Sequence, residues 1–200
     1  TSIAVFFDGE LVHTDSIPLG GVHVTNDISL GLTTPLNHAE RMKTLYGSAM
    51  PSPSDDREII KVPLVGEEDA GETSQVPRSM LTGIIRPRLE ETFEMVRARL
   101  EAAGFDNAAG RRVVITGGAS QLPGAREMAA AILDKQVRVG RPRAFEGMPE
   151  SVSGPAFATV TGLLTYAITN RTERRSGAYR PKEEAAGRFG RFGQWLRENF

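Results

Sequence analysis

The chain contains Val113-Val114-Ile115-Thr116-Gly117-Gly118-Ala119-Ser120-Gln121-Leu122-Pro123-Gly124, a strand-like run that ends in a glycine pair. Its apolar residues predict a buried strand over 111–116, and the spacing after the glycines predicts a helix over 122–133. Paired glycines lack Cβ atoms, so a flat ligand can approach the backbone there. The helix behind them would add unpaired N–H groups. On spacing alone, a plain strand–turn–helix junction is the simpler interpretation.

Strands and helices alternate along the rest of the chain, which predicts an α/β fold. Near the start, Asp8-Gly9 predicts a hairpin turn, and a helix over 22–32 would be capped by Thr25 or Asn26. The other predicted strands cover 2–7, 11–14, 59–62 and 137–139, and the other helices cover 38–46 (capped by Asn37, ended by Gly47), 78–103 and 155–168. One apolar stripe marks the helix over 78–103: Leu81, Ile84, Ile85, Leu89, Phe93, Val96 and Leu100.

Composition excludes several classes of function. The 200 residues include no cysteine, so disulfides, a cysteine nucleophile and thiolate metal sites are excluded. The three histidines show no metal-ligand spacing, so no zinc site or other metal site is predicted. The formal net charge of −1 gives no general attraction to nucleic acid. No stretch approaches the ~20 apolar residues that a transmembrane helix needs.

Glu40 and Lys43 form a candidate ligand-binding pair. They lie three positions apart on a predicted helix and therefore share one face. The carboxylate could accept a hydrogen bond from a ribose or adenine, and the ammonium could donate one. An ordinary surface ion pair, worth less than ~1 kcal/mol, explains the same spacing.

The last part of the chain differs from the body in charge. From Arg171 to Phe200 there are eight basic and four acidic residues. Residues 171–186 are polar and predict a flexible linker. Over 187–200, a helix would gather five apolar side chains within an arc of roughly 140°, the pattern of an amphipathic helix lying in a membrane interface. The predicted membrane-binding residues are Phe189, Phe192, Trp195, Leu196 and Phe200, with Arg188, Arg191 and Arg197 beside anionic lipid. A helix packed on the domain, or in the groove of a partner, is the alternative.

Three further segments, taken with the glycine run, resemble one family. They are Ser2-Ile3-Ala4-Val5-Phe6, Ile17-Pro18-Leu19-Gly20-Gly21-Val22-His23-Val24-Thr25-Asn26-Asp27-Ile28 and Ala39-Glu40-Arg41-Met42-Lys43-Thr44-Leu45-Tyr46-Gly47. In order and spacing they closely resemble FtsA, a bacterial cell-division family with an actin-like (ribonuclease H-like) ATPase fold. The run over 115–124 looks like that family's adenosine motif, and residues 155–164 look like its closing helix. The resemblance covers nearly the whole chain.

The resemblance implies a division of the chain into parts. Residues 1–45 and 110–170 would form the nucleotide-binding subdomain of the second lobe. Residues 46–109 would form a smaller strand-and-helix subdomain that binds FtsZ. The linker 171–186 and the amphipathic membrane helix 187–200 would follow. Within the first of these parts, Glu40 and Lys43 would touch the ribose or adenine of ATP, and Gly117, Gly118 and Ala119 would line the base and sugar.

The resemblance also implies a function. The intact family protein binds ATP with Mg²⁺, polymerises, and anchors FtsZ filaments, through the FtsZ C-terminal tail, to the cytoplasmic face of the cell membrane at the division site. The family's second phosphate loop, an Asp-Gly-Gly-Gly-Thr-Thr run, would directly precede Ser2, and only Thr1 matches it. We therefore expect this chain to be the C-terminal half, without catalytic residues. The intact protein would be a weak ATPase at most, and this chain alone would be inactive.

Two other readings within the same superfamily stay open at this point. A pilus-assembly actin-like protein shares the fold but lacks an amphipathic C-terminal helix of this kind. A sugar or acetate kinase would need a catalytic Asp after a phosphate loop, and the sequence shows no such motif.

Overall fold

The computed structural model describes residues 1–66, 73–105, 110–145 and 147–169. By its internal contacts the chain divides into two compact units, Thr1–Thr159 and Val160–Phe200. The first unit contains all the strands described below. The described part of the second unit, residues 160–169, belongs to one helix.

An antiparallel hairpin opens the chain, as its turn residues predict. Strand β1 (Ser2–Phe7) pairs with β2 (Glu10–Ser16). Asp8 and Gly9 connect them with φ values of 48° and 88°. Two successive positive φ values define the type I′ turn, whose twist matches that of the flanking strands.

Two helices follow, and their N-termini differ from the prediction. Helix α1 (Gly21–Leu32) begins after Gly20, whose N–H donates to Nδ1 of His23 at 3.2 Å. Thr25 was predicted to cap this helix but lies buried in its second turn. Helix α2 (Leu36–Tyr46) begins after Pro35 and ends at Gly47, as predicted. The predicted cap Asn37 lies inside α2, because the helix already starts at Leu36, directly after Pro35 with its non-helical ψ of 147°.

The proline-rich insert forms a second hairpin and leads into the longest helix. Strand β3 (Ile59–Pro63) confirms the predicted strand and pairs antiparallel with β4 (Thr73–Pro77), which the sequence analysis did not predict. Helix α3 (Arg78–Ala102) starts directly after β4. Four residues of its predicted apolar stripe are buried: Leu81, Ile85, Leu89 and Leu100.

The glycine run joins a pair of parallel strands. Strand β5 (Arg112–Ile115) and β6 (Gln136–Val139) pair in parallel, and helix α4 (Ala125–Leu133) connects them. The helix predicted to start at Leu122 starts at Ala125 instead, because Gly124 adopts φ +80°, which an α-helix does not allow. A 3₁₀ turn over Gly118–Gln121 follows Gly117. The predicted helix over 155–168 is a 3₁₀ turn, Pro155–Phe157, followed by α5 (Ala158–Thr169).

One hydrophobic core holds most of these elements together. It draws buried side chains from α1, α2, β3, α3 and α4, so the insert shares a core with the flanking helices. Its fully buried members with the largest side chains are Ile28, Leu81, Ile85, Val24 and Val62.

An open cavity of about 600 Å³ lies between β1, β5 and α3. Residues 2–6 and 112–116 line two sides of it, and Leu89, Phe93 and Leu100 of α3 line a third. Among the described strands, β1 pairs only with β2 and β5 only with β6. Gly20, Gly21 and Ala119 also border the cavity.

Candidate functional site

The turn after β5 is held in shape by three hydrogen bonds. The N–H of Gly117 donates to the carbonyl of Pro155 at 3.1 Å. The hydroxyl of Ser120 donates to the carbonyl of Gly117 at 2.7 Å, and that of Thr116 to the carbonyl of Gly140 at 3.0 Å. The serine and threonine therefore fix the backbone of the turn, whose outer side carries no side chain at the two glycines.

The two glycines of this turn face open space. A Cβ atom added to Gly117 or Gly118 would meet no other atom within 4 Å. Gly117 also has φ +91°, which favours glycine, whereas Gly118 does not need a positive φ. The arrangement fits a planar group lying against the backbone, as the sequence analysis expected. The α-helix N-terminus expected directly behind the glycines is absent from that place, since α4 begins only at Ala125.

A second glycine pair packs against the first turn. A Cβ atom on Gly21 would lie 3.1 Å from Cβ of Ala119 and 3.9 Å from Nζ of Lys43. A side chain at Gly21 would therefore push α1 away from the turn. The sequence analysis did not assign Gly20 and Gly21 to the site, although a glycine pair directly before a helix is the signal that could have indicated them.

Lys43, Glu40 and Thr25 form a hydrogen-bonded cluster beside Gly21. Nζ of Lys43 donates to Oε2 of Glu40 at 2.6 Å, to Oγ1 of Thr25 at 2.8 Å and to the carbonyl of Gly21 at 3.1 Å. The side chain of Lys43 is 10% exposed and that of Glu40 is 55% exposed. The predicted pair thus lies together, and Lys43 connects it through Gly21 to the turn at Ala119.

The two members of the pair are equipped for different roles. An ammonium has three protons, and those of Lys43 have three protein acceptors within reach. A ligand could bind Lys43 only by displacing one of them. Glu40 uses one oxygen, and its exposed side chain leaves the other toward solvent. Both residues stay predicted ligand contacts; of the two, Glu40 is the more exposed, and Lys43 holds it in place.

The charge state of Glu40 follows from the same contacts. Burial raises the pKa of its carboxyl, but the hydrogen bonds from Lys43 and Thr25, together with the charge of Lys43, outweigh that effect. The net pKa lies below the ordinary value of 4.5. Glu40 is therefore a carboxylate at neutral pH and can only accept hydrogen bonds.

The site suits a neutral donor-bearing group better than a metal ion. Across the described ranges, no group of three or more His, Asp or Glu residues lies close enough to hold a metal. The open backbone at Gly117 and Gly118 and the carboxylate of Glu40 could hold the base and sugar of a nucleoside. The sugar hydroxyls and the exocyclic amine of the base would be the donors.

The arginines of α3 all have acidic partners. Arg88 binds Asp27 through two bonds, of 2.5 and 3.0 Å, and Glu91 at 2.6 Å. Arg78 lies 3.0 Å from Glu58 and 3.6 Å from the buried Asp55. The more exposed pairs are Arg86 with Glu90 at 2.7 Å, Arg97 with Glu101 at 3.6 Å and Arg99 with Asp15 at 3.8 Å. Three of these pairs, Arg86–Glu90, Arg88–Glu91 and Arg97–Glu101, follow the helical spacing expected of a solvated face.

The predicted linker and membrane helix lie outside the described residues. The same holds for all the predicted membrane-binding residues: Phe189, Phe192, Trp195, Leu196, Phe200, Arg188, Arg191 and Arg197. Of the helices that are described, none has the length and apolar character needed to span a bilayer. The membrane residues therefore stay predictions from sequence.

Known proteins resemble this chain over its whole length. A family model described as "Cell division protein FtsA" matches residues 1–162. The chain is 46% identical to the cell division protein FtsA of Agrobacterium fabrum over 100% of this chain and 46% of that protein. It is 35% identical to the FtsA of Pseudomonas aeruginosa, over 100% of this chain and 48% of the relative. It is 30% identical to the FtsA of Escherichia coli, over 99% of this chain and 48% of that protein. The chain spans about half the length of these relatives.

Solved structures show the same type of fold. MreB 5 of Spiroplasma citri bound to AMPPNP matches with a TM-score of 0.60 at 16% identity, over 88% of this chain and 52% of that one. Its ADP-bound form matches with a TM-score of 0.61. The fold is that of one lobe of an actin-like ATPase, which confirms the predicted class.

Proposed function

Because this chain belongs to the FtsA family of cell division proteins, we propose that it forms the adenosine half of an ATP site in a protein that anchors FtsZ filaments to the membrane. A role in cell division follows from the family itself. Membership also sets aside the pilus-assembly and kinase alternatives. The proposals of a nucleotide site, a partner site and a membrane anchor are each supported by a different part of the chain.

One observation carries the nucleotide proposal: Gly21 connects the two candidate elements. It packs against Ala119 of the turn at Gly117-Gly118, and its carbonyl accepts a hydrogen bond from Lys43, the partner of Glu40. Gly117 and Gly118 leave room for a base, and Gly21 lets α1 approach Ala119. Glu40, held by Lys43, supplies an acceptor. That MreB 5 of Spiroplasma citri was solved with AMPPNP and ADP supports an adenine nucleotide as the ligand.

We expect Gly118→Leu to lower ATP affinity at least about tenfold in a full-length protein that carries this chain, because the new side chain fills the space reserved for the base. Gly83→Leu is the matched control: Gly83 also faces open space, but it lies on the exposed side of α3. Calorimetry on both variants measures the effect. Equal ATP affinity for the two variants would show that the space beside Gly118 does not bind the base.

The isolated 200-residue chain is expected to bind ATP weakly or not at all, because the described residues include no cluster that could hold a metal beside the phosphates. In a full-length protein, the rest of the molecule would supply contacts to the phosphates and ligands for Mg²⁺. Micromolar ATP affinity for the isolated chain, measured by calorimetry, would contradict this half-site argument.

The partner proposal concerns residues 46–109, which we propose bind the acidic C-terminal tail of FtsZ. The arginines of α3 support it, although each already has an acidic partner. Exposed ion pairs are worth only about 0–1 kcal/mol, so an acidic peptide can displace them at little cost. Arg86 and Arg97 can act together, since both side chains are 47% exposed and a separation of about three helical turns puts them on one face.

Reversing both charges, with Arg86→Glu and Arg97→Glu, is expected to weaken binding of a labelled FtsZ tail peptide at least about fivefold. Fluorescence anisotropy measures this, and added salt should reduce the difference. Arg126→Glu is the control, because Arg126 is 58% exposed and paired with Glu127 but lies on α4. Unchanged affinity in the double variant, or the same loss in Arg126→Glu, would count against a peptide site on α3.

The membrane proposal rests on residues 187–200 and on the pattern of their side chains. An interfacial helix there would place the protein on the cytoplasmic face of the cell membrane, at the division site. We also propose that the full-length protein self-associates into filaments, as the actin-like fold supports. Replacing Phe192 and Trp195 with glutamate tests the membrane proposal.

A further inference from the structure

Thr25 occupies the centre of the cluster beside Gly21. It is 4% exposed, and its Oγ1 lies 2.5 Å from Oε2 of Glu40, 2.8 Å from Nζ of Lys43 and 3.1 Å from the carbonyl of Gly21. An ammonium can only donate, so the hydroxyl accepts from Lys43 and gives its own proton to another acceptor. The carboxylate of Glu40 is both the closer and the charged acceptor, and such bonds are the stronger ones.

The two donors act on the same oxygen of Glu40. Oε2 receives the bonds from Thr25 and Lys43, whereas no described residue donates to Oε1. Because the side chain of Glu40 is 55% exposed, solvent and ligands can reach Oε1. With Lys43 alone, the carboxylate could turn about a single contact. The second contact from α1 fixes its orientation.

We propose that Thr25 is a positioning residue of the adenosine half-site: its hydroxyl holds one oxygen of Glu40 so that the other faces a hydroxyl or amine donor of the nucleoside. This inference rests on the proposed nucleotide function. Thr25 itself touches no ligand, and its hydroxyl acts through Glu40.

Two substitutions separate this role from simple packing. Thr25→Val keeps the shape and removes the hydroxyl, while Thr25→Ser keeps the hydroxyl and removes a methyl group. Thr92→Val is the matched control, because the buried Thr92 donates its hydroxyl to the carbonyl of Arg88 within α3, apart from the cluster. Thermal unfolding of each variant shows whether it folds.

The first readout needs no nucleotide. Carboxyl ¹³C NMR of the 200-residue chain follows the pKa of Glu40, which should rise in Thr25→Val and stay near the wild-type value in Thr25→Ser and Thr92→Val. A rise in Thr25→Ser equal to that in Thr25→Val would show that the methyl group matters and the hydroxyl does not, and would overturn the inference.

The second readout is ATP affinity by calorimetry in a full-length protein that carries this chain. We expect a loss of about tenfold in Thr25→Val and a change within about twofold in Thr25→Ser and Thr92→Val. Wild-type affinity in Thr25→Val would overturn the positioning role, even if the pKa of Glu40 moves. Absence of ATP binding in the wild type is a separate result, which would overturn the nucleotide function on which the inference rests.

Discussion

Replacing Ile28 with alanine is expected to lower the free energy of unfolding of this chain by about 2–5 kcal/mol. Ile28 is fully buried on α1 and belongs to the core that α1 shares with α3, where Leu81 and Ile85 are also fully buried. The substitution removes apolar surface from the core and leaves a cavity that packed neighbours fill only in part. Urea unfolding followed by circular dichroism measures the change through the midpoint of the transition.

The same helix provides a matched control. Leu30 has a similar side chain but is 80% exposed, so Leu30→Ala is expected to change the free energy of unfolding by less than about 0.5 kcal/mol. The milder Ile28→Val should cost about 0.5–1.5 kcal/mol. Equal losses for Ile28→Ala and Leu30→Ala would mean that α1 does not pack on α3 as described.

Where local chemistry decides an element, the sequence was sufficient to predict it. Asp8-Gly9 specifies a tight hairpin turn because both residues tolerate positive φ, and the structure has that turn. Gly47 also ends α2 as predicted, although it takes an extended backbone (φ −65°, ψ 144°) and needs no positive φ. The 3.6-residue period of apolar residues predicts α3, because its buried side chains recur on one face.

The prediction of caps, helix starts and strands was wrong where a contact distant in sequence, or a competing local conformation, determines the structure. Thr25 has the residue type of a helix cap, but its hydroxyl is used by Glu40 and Lys43 from another helix. The start of α4 was placed too early because Gly124 takes a positive φ beside Met50, whose Cγ would lie 2.5 Å from an added Cβ. Strand β4 has weak strand propensity and forms by pairing with β3, a contact across the insert.

The candidate site shows the same division. The glycine pair at Gly117-Gly118 and the spacing of Glu40 and Lys43 are local features, so they could be selected from sequence. That Gly21 brings them together is a tertiary fact, visible only when α1 lies against the turn at Ala119. The division of labour between Lys43 and Glu40 is likewise set by partners from α1, which spacing along α2 cannot indicate.

Residues 187–200 are expected to form a helix at a membrane interface but not in water. Three glycines, at positions 187, 190 and 193, each cost ~1 kcal/mol in a helix interior relative to alanine, so the isolated segment should be mostly disordered in water. At a membrane interface, five apolar side chains leave water together, at about 1.5–3 kcal/mol each. Three arginines add about 1 kcal/mol each beside anionic lipid. These gains exceed the glycine cost and offset much of the ordering entropy.

Replacing Phe192 and Trp195 with glutamate should therefore release the protein from anionic vesicles, with a loss of membrane affinity of at least about a hundredfold. Each change removes an apolar anchor and places a charge where the helix meets the acyl chains, and Trp195 also loses its place at headgroup depth. The control, Gly190→Glu with Gln194→Glu, adds the same charge on the opposite side of the helix and should retain much more binding. Vesicle co-sedimentation measures release, and circular dichroism of the peptide measures helix formation. Sedimentation of the Phe192/Trp195 variant with vesicles, or a wild-type peptide that gains no helix on anionic lipid, would show that this segment is not the anchor.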